Sequence, residues 1–207
     1  GHKCAFWEKI PGRISKSAHV AVTFVYDGTM SEYVMPTRPP QEGWDLHCHT
    51  VFSDGTRTPR EMVQEAKSLG LHGVAIADHD TTAGWEEAGQ ASHDLHLPLM
   101  RGTEITAQDG NVSVHMLAYL YDPRNRHICD LFEKTRRSRV ERTKKMVALL
   151  AKDYPISWQS VLEQTKEGSR TTIGRPHIAD ALVAAGVYAN RNEAFADAVS
   201  THSKYYI

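Results

Sequence analysis

Between residues 43 and 121, four short apolar runs alternate with two helix-like segments, which restricts the chain to a few layered α/β folds. The runs are WDLHCHT (44–50), HGVAIADH (72–79), LPLMRGTEIT (97–106) and VSVHMLAYLY (112–121). The second is apolar almost throughout, as expected of a strand covered on both faces, and the whole pattern predicts parallel βα units. Thr58-Pro59 opens a helix through PREMVQEAKSLG, with Met62, Val63, Ala66 and Leu69 on one face and Gly70 as its stop. A second helix is predicted from about Thr82 to Leu95, and an Asp109-Gly110 turn precedes the last strand.

The texture changes on either side. After Pro123 it is helical, with segments predicted at 127–152, 157–167, 175–186 and 191–200. The longest should turn Leu131, Phe132, Val140, Val147 and Leu150 inward, while Lys134, Arg137, Glu141 and Lys145 share a solvated, self-paired face. Before residue 43 lie one strand-like run, HVAVTFVY (19–26), and a Pro-rich linker, MPTRPPQEG. Three parts are therefore expected: an extension and linker (1–42), an α/β part (43–122) and a helical part (123–207).

Charge and cysteine content exclude several functions. With 24 Lys plus Arg against 25 Asp plus Glu, the net charge of -1 gives no global attraction to nucleic acid or anionic membrane, so any phosphate must be bound locally. No apolar run is long enough to span a bilayer, and GHKCAFWEKIPGR lacks the pattern of a signal peptide, so a cytoplasmic location is expected. Cys4, Cys48 and Cys129 are scattered, which predicts neither a disulfide framework nor a thiolate metal site.

Histidine carries the chemistry. Side chains alternate along a strand, so His47 and His49 share one face while Cys48 points into the core. Asp54 follows in a loop, His79 ends the second strand, Glu104 lies near the end of the third, and His115 lies in the fourth. Imidazole and carboxylate without thiolate suit divalent Mn, Zn or Fe, and a bridging carboxylate such as Glu104 suits a cluster of ions. Asp45, Asp78 and Asp80 are expected either to accept the outer N–H groups of ligating imidazoles or to serve as turn or cap carboxylates. His72, His93 and His96 fall outside the pattern and read as structural or surface residues.

DLHCHTVFSDGT, ADHDT, GTEIT and then His115 in VSVHMLAY resemble the successive motifs of the polymerase and histidinol phosphatase (PHP) superfamily. RRSRVERTKKM, IGRPHIADALV, NEAFADAV and SKYYI extend the resemblance, over roughly 43–207, to the branch of nucleoside 3',5'-bisphosphate phosphatases and 5'-3' exoribonucleases. It implies an irregular (β/α)7 barrel with a helical insertion, and up to three divalent metals in a trinuclear centre. His47, His49 and Glu104 would hold the first, Glu104 and His115 the second, and Asp54 and His79 the third. The branch continues with a later histidine and an Asp-x-His pair that do not occur here at the expected place, so the chain is expected to lack the C-terminal strands.

The implied activity is hydrolysis of a nucleotide phosphate ester, either a 3',5'-bisphosphonucleotide or a short 5'-phosphorylated RNA, by a metal-bridged hydroxide. All six ligands would serve catalysis, while Arg175 and His177, at the start of a helix in GRPH, would hold a substrate phosphate. No membrane and no obligate protein partner are expected. The rivals are a histidinol-phosphate phosphatase, a non-catalytic PHP module, and an amidohydrolase, which would usually need a bridging lysine that the fourth strand does not offer.

Overall fold

The computed structural model describes residues 23–26, 43–110 and 112–207, with only the backbone described over 23–26. Most of the 1–42 extension, including residues 19–22 of the strand-like run, the Pro-rich linker and Cys4, lies outside the described residues. Five strands, β1 (Thr23–Tyr26), β2 (Trp44–Cys48), β3 (Gly73–Ile76), β4 (Leu99–Asp109) and β5 (Val112–Tyr119), form one sheet in the order β1-β5-β4-β3-β2.

The sheet is mixed, which corrects the expectation of parallel units throughout. β2, β3 and β4 pair in parallel, whereas β5 runs antiparallel to both β4 and β1. The reason is the connection: a parallel crossover needs a dozen or more residues, and β4 passes to β5 through a tight turn with Gly110 at φ 57°. β4 also continues past Thr106 to Asp109, so Glu104 and His115 lie within a hairpin rather than at strand ends.

Helix α1 (Pro59–Ser68) starts on a capping box in which Thr58 Oγ1 accepts from Glu61 N–H and Glu61 accepts from Thr58 N–H. It buries Val63 and Ala66 beside α2 (Trp85–Leu95) in a core with Val74, Ile76, Ala88 and Cys48. Leu69, predicted on the buried face, is 40% exposed because the helix has already ended.

The helical half comprises α3 (Arg126–Leu150), α4 (Trp158–Leu162), a 3-10 turn at Gly168–Arg170, α5 (Arg175–Ala184) and α6 (Arg191–Ala196). Met146, Val147, Leu150, Val161, Ile178, Leu182 and Val199 form its core. α3 buries the predicted Phe132, Val147 and Leu150 along with Thr143 and Met146, but leaves Leu131 41% exposed. On the solvent side, Arg137 pairs with Glu133 and Lys144 with Glu141. The helix predicted over 157–167 stops at Leu162, and Gly168 then turns at φ 56°. Among the described residues, no helix is long and apolar enough to cross a membrane.

The two halves meet at the loop after β2. Thr172 N–H donates to Phe52 O at 2.8 Å, and Thr171 Oγ1 donates to Val51 O at 3.0 Å. Lys166 Nζ reaches Thr56 O at 2.6 Å, and Arg191 Nη1 reaches Asp54 O at 3.0 Å while Asp180 holds the rest of its guanidinium. The loop carrying Asp54 is thus fixed from the helical half.

Candidate metal centre

The six predicted ligands converge. His47 Nε2 lies 2.6 Å from Glu104 Oε2, and His49 Nε2 lies 3.0 Å from that same oxygen and 3.0 Å from His47 Nε2. His115 Nδ1 lies 2.9 Å from Glu104 Oε1. Asp54 sits between His49 and His79, its oxygens 3.6 Å from His49 Nδ1 and 3.5 Å from His79 Nε2. Their donor atoms form three overlapping groups, each within 4.8 Å: His47, His49 and Glu104; His49, Asp54 and His79; His79, Glu104 and His115.

Hydrogen bonding alone does not account for this packing. Two imidazole nitrogens facing each other at 3.0 Å share at most one hydrogen, yet both also face a carboxylate oxygen. His79 Nδ1 and His115 Nδ1 are buried without a hydrogen-bond partner, the latter despite its 2.9 Å approach to Glu104. Imidazole nitrogens and carboxylate oxygens converging in this way, two of the nitrogens buried without a hydrogen-bond partner, make a donor set able to bind divalent metal.

The electrostatics agree. Burial by itself would push the Glu104 carboxyl up, but the His115, His47 and His49 rings around it hold it well below the usual carboxylate range. Burial opposes ionisation of Asp54 too, and contact with His79 outweighs it and keeps that carboxyl low. Both acids stay ionised at neutral pH, as ligands must.

Asp78 and Asp80 correct the expectation that they receive imidazole N–H groups. Asp78 accepts from Thr50 N–H at 2.6 Å, Thr50 Oγ1 at 2.7 Å and Ser53 Oγ at 2.6 Å. Ser53 Oγ in turn lies 3.4 Å from His49 Nδ1, so the support reaches the imidazole through a hydroxyl. Asp80 accepts from Thr106 and from Arg139. Asp45 accepts from the backbone N–H of His47 at 3.1 Å. Thr50, Ser53, Thr106 and Arg139 had no spacing signal of their own. Cys48 packs in the core as expected, and His72, His93 and His96 are exposed, outside the three ligand groups.

The two predicted phosphate contacts lie at the start of α5. His177 is buried, and its Nδ1 accepts from Gly174 N–H at 3.2 Å, which leaves the proton of the neutral ring on Nε2. The ring lines a cleft of about 140 Å³ with Ser53, Gly55, Thr56, Lys166 and Arg191. Arg175 Nη1 donates to Val199 O at 3.3 Å, and its guanidinium lies 5.5 Å from the ring centroids of Phe195 and Tyr206.

Burial pushes the His177 imidazole below its ordinary value, against the opposing charges of Asp54 and Asp180. The unfolded chain therefore binds this proton first. Stability from the neutral ring is complete above the unfolded value of about 6.5 and is lost as pH falls towards the folded value. His177→Gln should flatten the fall in unfolding free energy below pH 6.5, a slope of up to about 1.4 kcal/mol per pH unit. Urea titrations of chelated protein at pH 7 and pH 5.5 measure it, and equal slopes for both proteins would refute it.

The sequence model of the PHP domain family matches residues 45–204. The chain belongs to the PHP family. A protein of Bifidobacterium adolescentis, provisionally assigned as a metal-dependent phosphoesterase, superposes with a TM-score of 0.79 at 68% identity, covering 82% of this chain and 59% of that one. A 5'-3' exoribonuclease of Haemophilus influenzae is 29% identical over 152 residues, 73% of this chain and 54% of the relative. A 3',5'-nucleoside bisphosphate phosphatase of Chromobacterium violaceum is 33% identical over 106 residues, 51% of this chain and 37% of the relative. The chain thus spans about half the length, or less, of these curated relatives. The mixed sheet with flanking helices is the α/β architecture of a PHP phosphoesterase barrel, present here as a half-barrel.

Proposed function

We propose that this chain is the metal-binding part of a phosphoesterase that hydrolyses a nucleotide phosphate ester, with His47, His49, Asp54, His79, Glu104 and His115 as its metal ligands. The observation that carries this reading is the convergence of those six side chains into three overlapping groups, with His79 Nδ1 and His115 Nδ1 buried there without a hydrogen-bond partner. The relatives' names, a bisphosphate phosphatase and an exoribonuclease, support a 3',5'-bisphosphonucleotide or a short 5'-phosphorylated RNA as substrate.

A phosphate monoester dianion repels nucleophiles, and divalent ions, up to three, held by these residues would supply the Lewis acidity to neutralise it and activate water. The protein's own groups do the rest. Glu104, kept ionised by the surrounding imidazoles, joins two of the three ligand groups. His177 offers a neutral Nε2–H beside the Asp54 loop, suited to a phosphate or leaving oxygen. Arg175, from the first turn of α5, supplies guanidinium to the non-reacting phosphate. Residues 123–207 act in this reading as the helical insertion that shapes the substrate side.

Hydrolysis of a 3',5'-bisphosphonucleotide and of histidinol phosphate, read as phosphate release, of a short 5'-phosphorylated RNA, read as mononucleotide release, and of an amide panel, read as amine release, tests the proposal on metal-loaded and chelated protein. Release from a nucleotide substrate that disappears on chelation is expected. Turnover of histidinol phosphate or an amide alone would overturn it. Arg175→Ala should raise KM for the 3',5'-bisphosphate about tenfold, more than for a plain monophosphate, with metal content unchanged. Equal effects on both substrates would return Arg175 to the packing role that its contacts with Phe195 and Tyr206 describe.

A further inference from the structure

Arg139 belongs to α3, in the helical half, yet its side chain ends inside the metal-binding half and is only 11% exposed. Its Nε donates to Asp80 Oδ2 at 3.0 Å, and its Nη2 donates to Thr106 Oγ1 at 2.5 Å. Asp80 in turn accepts from Thr106 N–H at 2.8 Å and Thr106 Oγ1 at 2.7 Å. Guanidinium, carboxylate and threonine thus form a closed, buried clamp. Each partner is close to a ligand: Asp80 follows His79, and Thr106 is two residues from Glu104 and the cross-strand partner of His115.

The turn that the clamp holds is one that needs holding. Asp80 is fully buried and has φ 50°, a left-handed conformation that a residue with a side chain rarely adopts. A buried carboxylate persists only when paired and hydrogen-bonded. His79 Nδ1 has no hydrogen-bond partner and its Nε2 meets Asp54 only at 3.5 Å, so the aim of its ring depends in part on where the backbone at 79–80 sits. His79 also belongs to two of the three ligand groups.

We infer that Arg139 is a positioning residue of the metal centre, locking the His79–Asp80 turn to the hairpin of Glu104 and His115. The inference rests on the metal reading of the six ligands. The planar guanidinium spans Asp80 and Thr106 at once, a geometry that a lysine ammonium does not reproduce.

The test is cobalt(II) binding to the full chain, followed by visible absorption and by competition with a chelator, for Arg139→Met, Arg139→Lys, the double variant Asp80→Asn with Arg139→Met, and Arg137→Met. Removing a group that supports a ligand typically weakens metal binding 10- to 100-fold. At least a tenfold loss for the weaker-held ions, with an altered cobalt spectrum, is expected in both Arg139 single variants. The double variant carries no unpaired buried charge, so its chelated form should melt near the wild-type temperature while its cobalt affinity stays low. Arg137→Met, whose side chain is solvent-exposed and pairs with Glu133, should bind like wild type. Wild-type affinity and spectrum in Arg139→Met would overturn the inference, as would recovery of both in the double variant. Failure of the wild-type chain to bind cobalt would instead overturn the metal reading, and this inference with it.

Discussion

A protein carrying both His47→Ala and His49→Ala is expected to lose most of its bound divalent metal, with the fold intact. The two Nε2 atoms and Glu104 Oε2 form one ligand group, and the double change leaves it with the carboxylate alone. His49 also faces Asp54, so the double change opens a second group as well. Both rings leave the molecule at low structural cost: His47 is exposed and His49 is half-buried, and neither belongs to a hydrophobic core cluster. Elemental analysis after dialysis, with circular dichroism as the fold control, reads the outcome. Full metal retention would show that the ions bind elsewhere.

Asp78→Ala should be the most destabilising single change among residues 43–122, by about 2 to 4 kcal/mol, because three donors lose their acceptor at once. Thr50 and Ser53 are both buried, so neither water nor a rotamer change readily replaces the carboxylate. The same loop carries His49 and Asp54, and metal affinity should fall with stability. Urea unfolding of the chelated protein gives the first quantity and chelator competition gives the second. A loss below about 1 kcal/mol would mean that the loop is held chiefly by its contacts with Thr171, Thr172, Lys166 and Arg191.

The convergence of six side chains on one cluster was legible in the sequence because its signals are local: His-x-His exposes one face of a strand, and single carboxylates and histidines punctuate the strand sequence that follows. The supports were not. Asp78 and Asp80 flank His79, and their adjacency pointed to imidazole partners, but their acceptors are filled by Thr50, Ser53, Thr106 and Arg139, which are 25 to 59 residues away. The orientation of β5 went the other way. The Asp109-Gly110 turn signalled a hairpin, yet the alternation of strands and helices before it favoured a parallel reading, and the shorter-range signal was the correct one. Leu131 failed for a related reason: helical spacing gives a face but does not say which turns of a 25-residue helix have anything to pack against.

The ties between the Asp54 loop and the helical half also set an order of events during synthesis. Arg191, which grips the Asp54 carbonyl, follows it by 137 residues, and Lys166 follows Thr56 by 110. Contacts so distant along the chain close late and slow the search for the native state. At ~5–20 residues per second, ribosomes need about 7 to 27 s to reach Arg191 after Asp54. Throughout that interval the nascent chain carries its histidines without the frame that aims them, and ions captured then would be held loosely and exchange freely. Metal added after release should therefore load the protein as fully as metal present during translation.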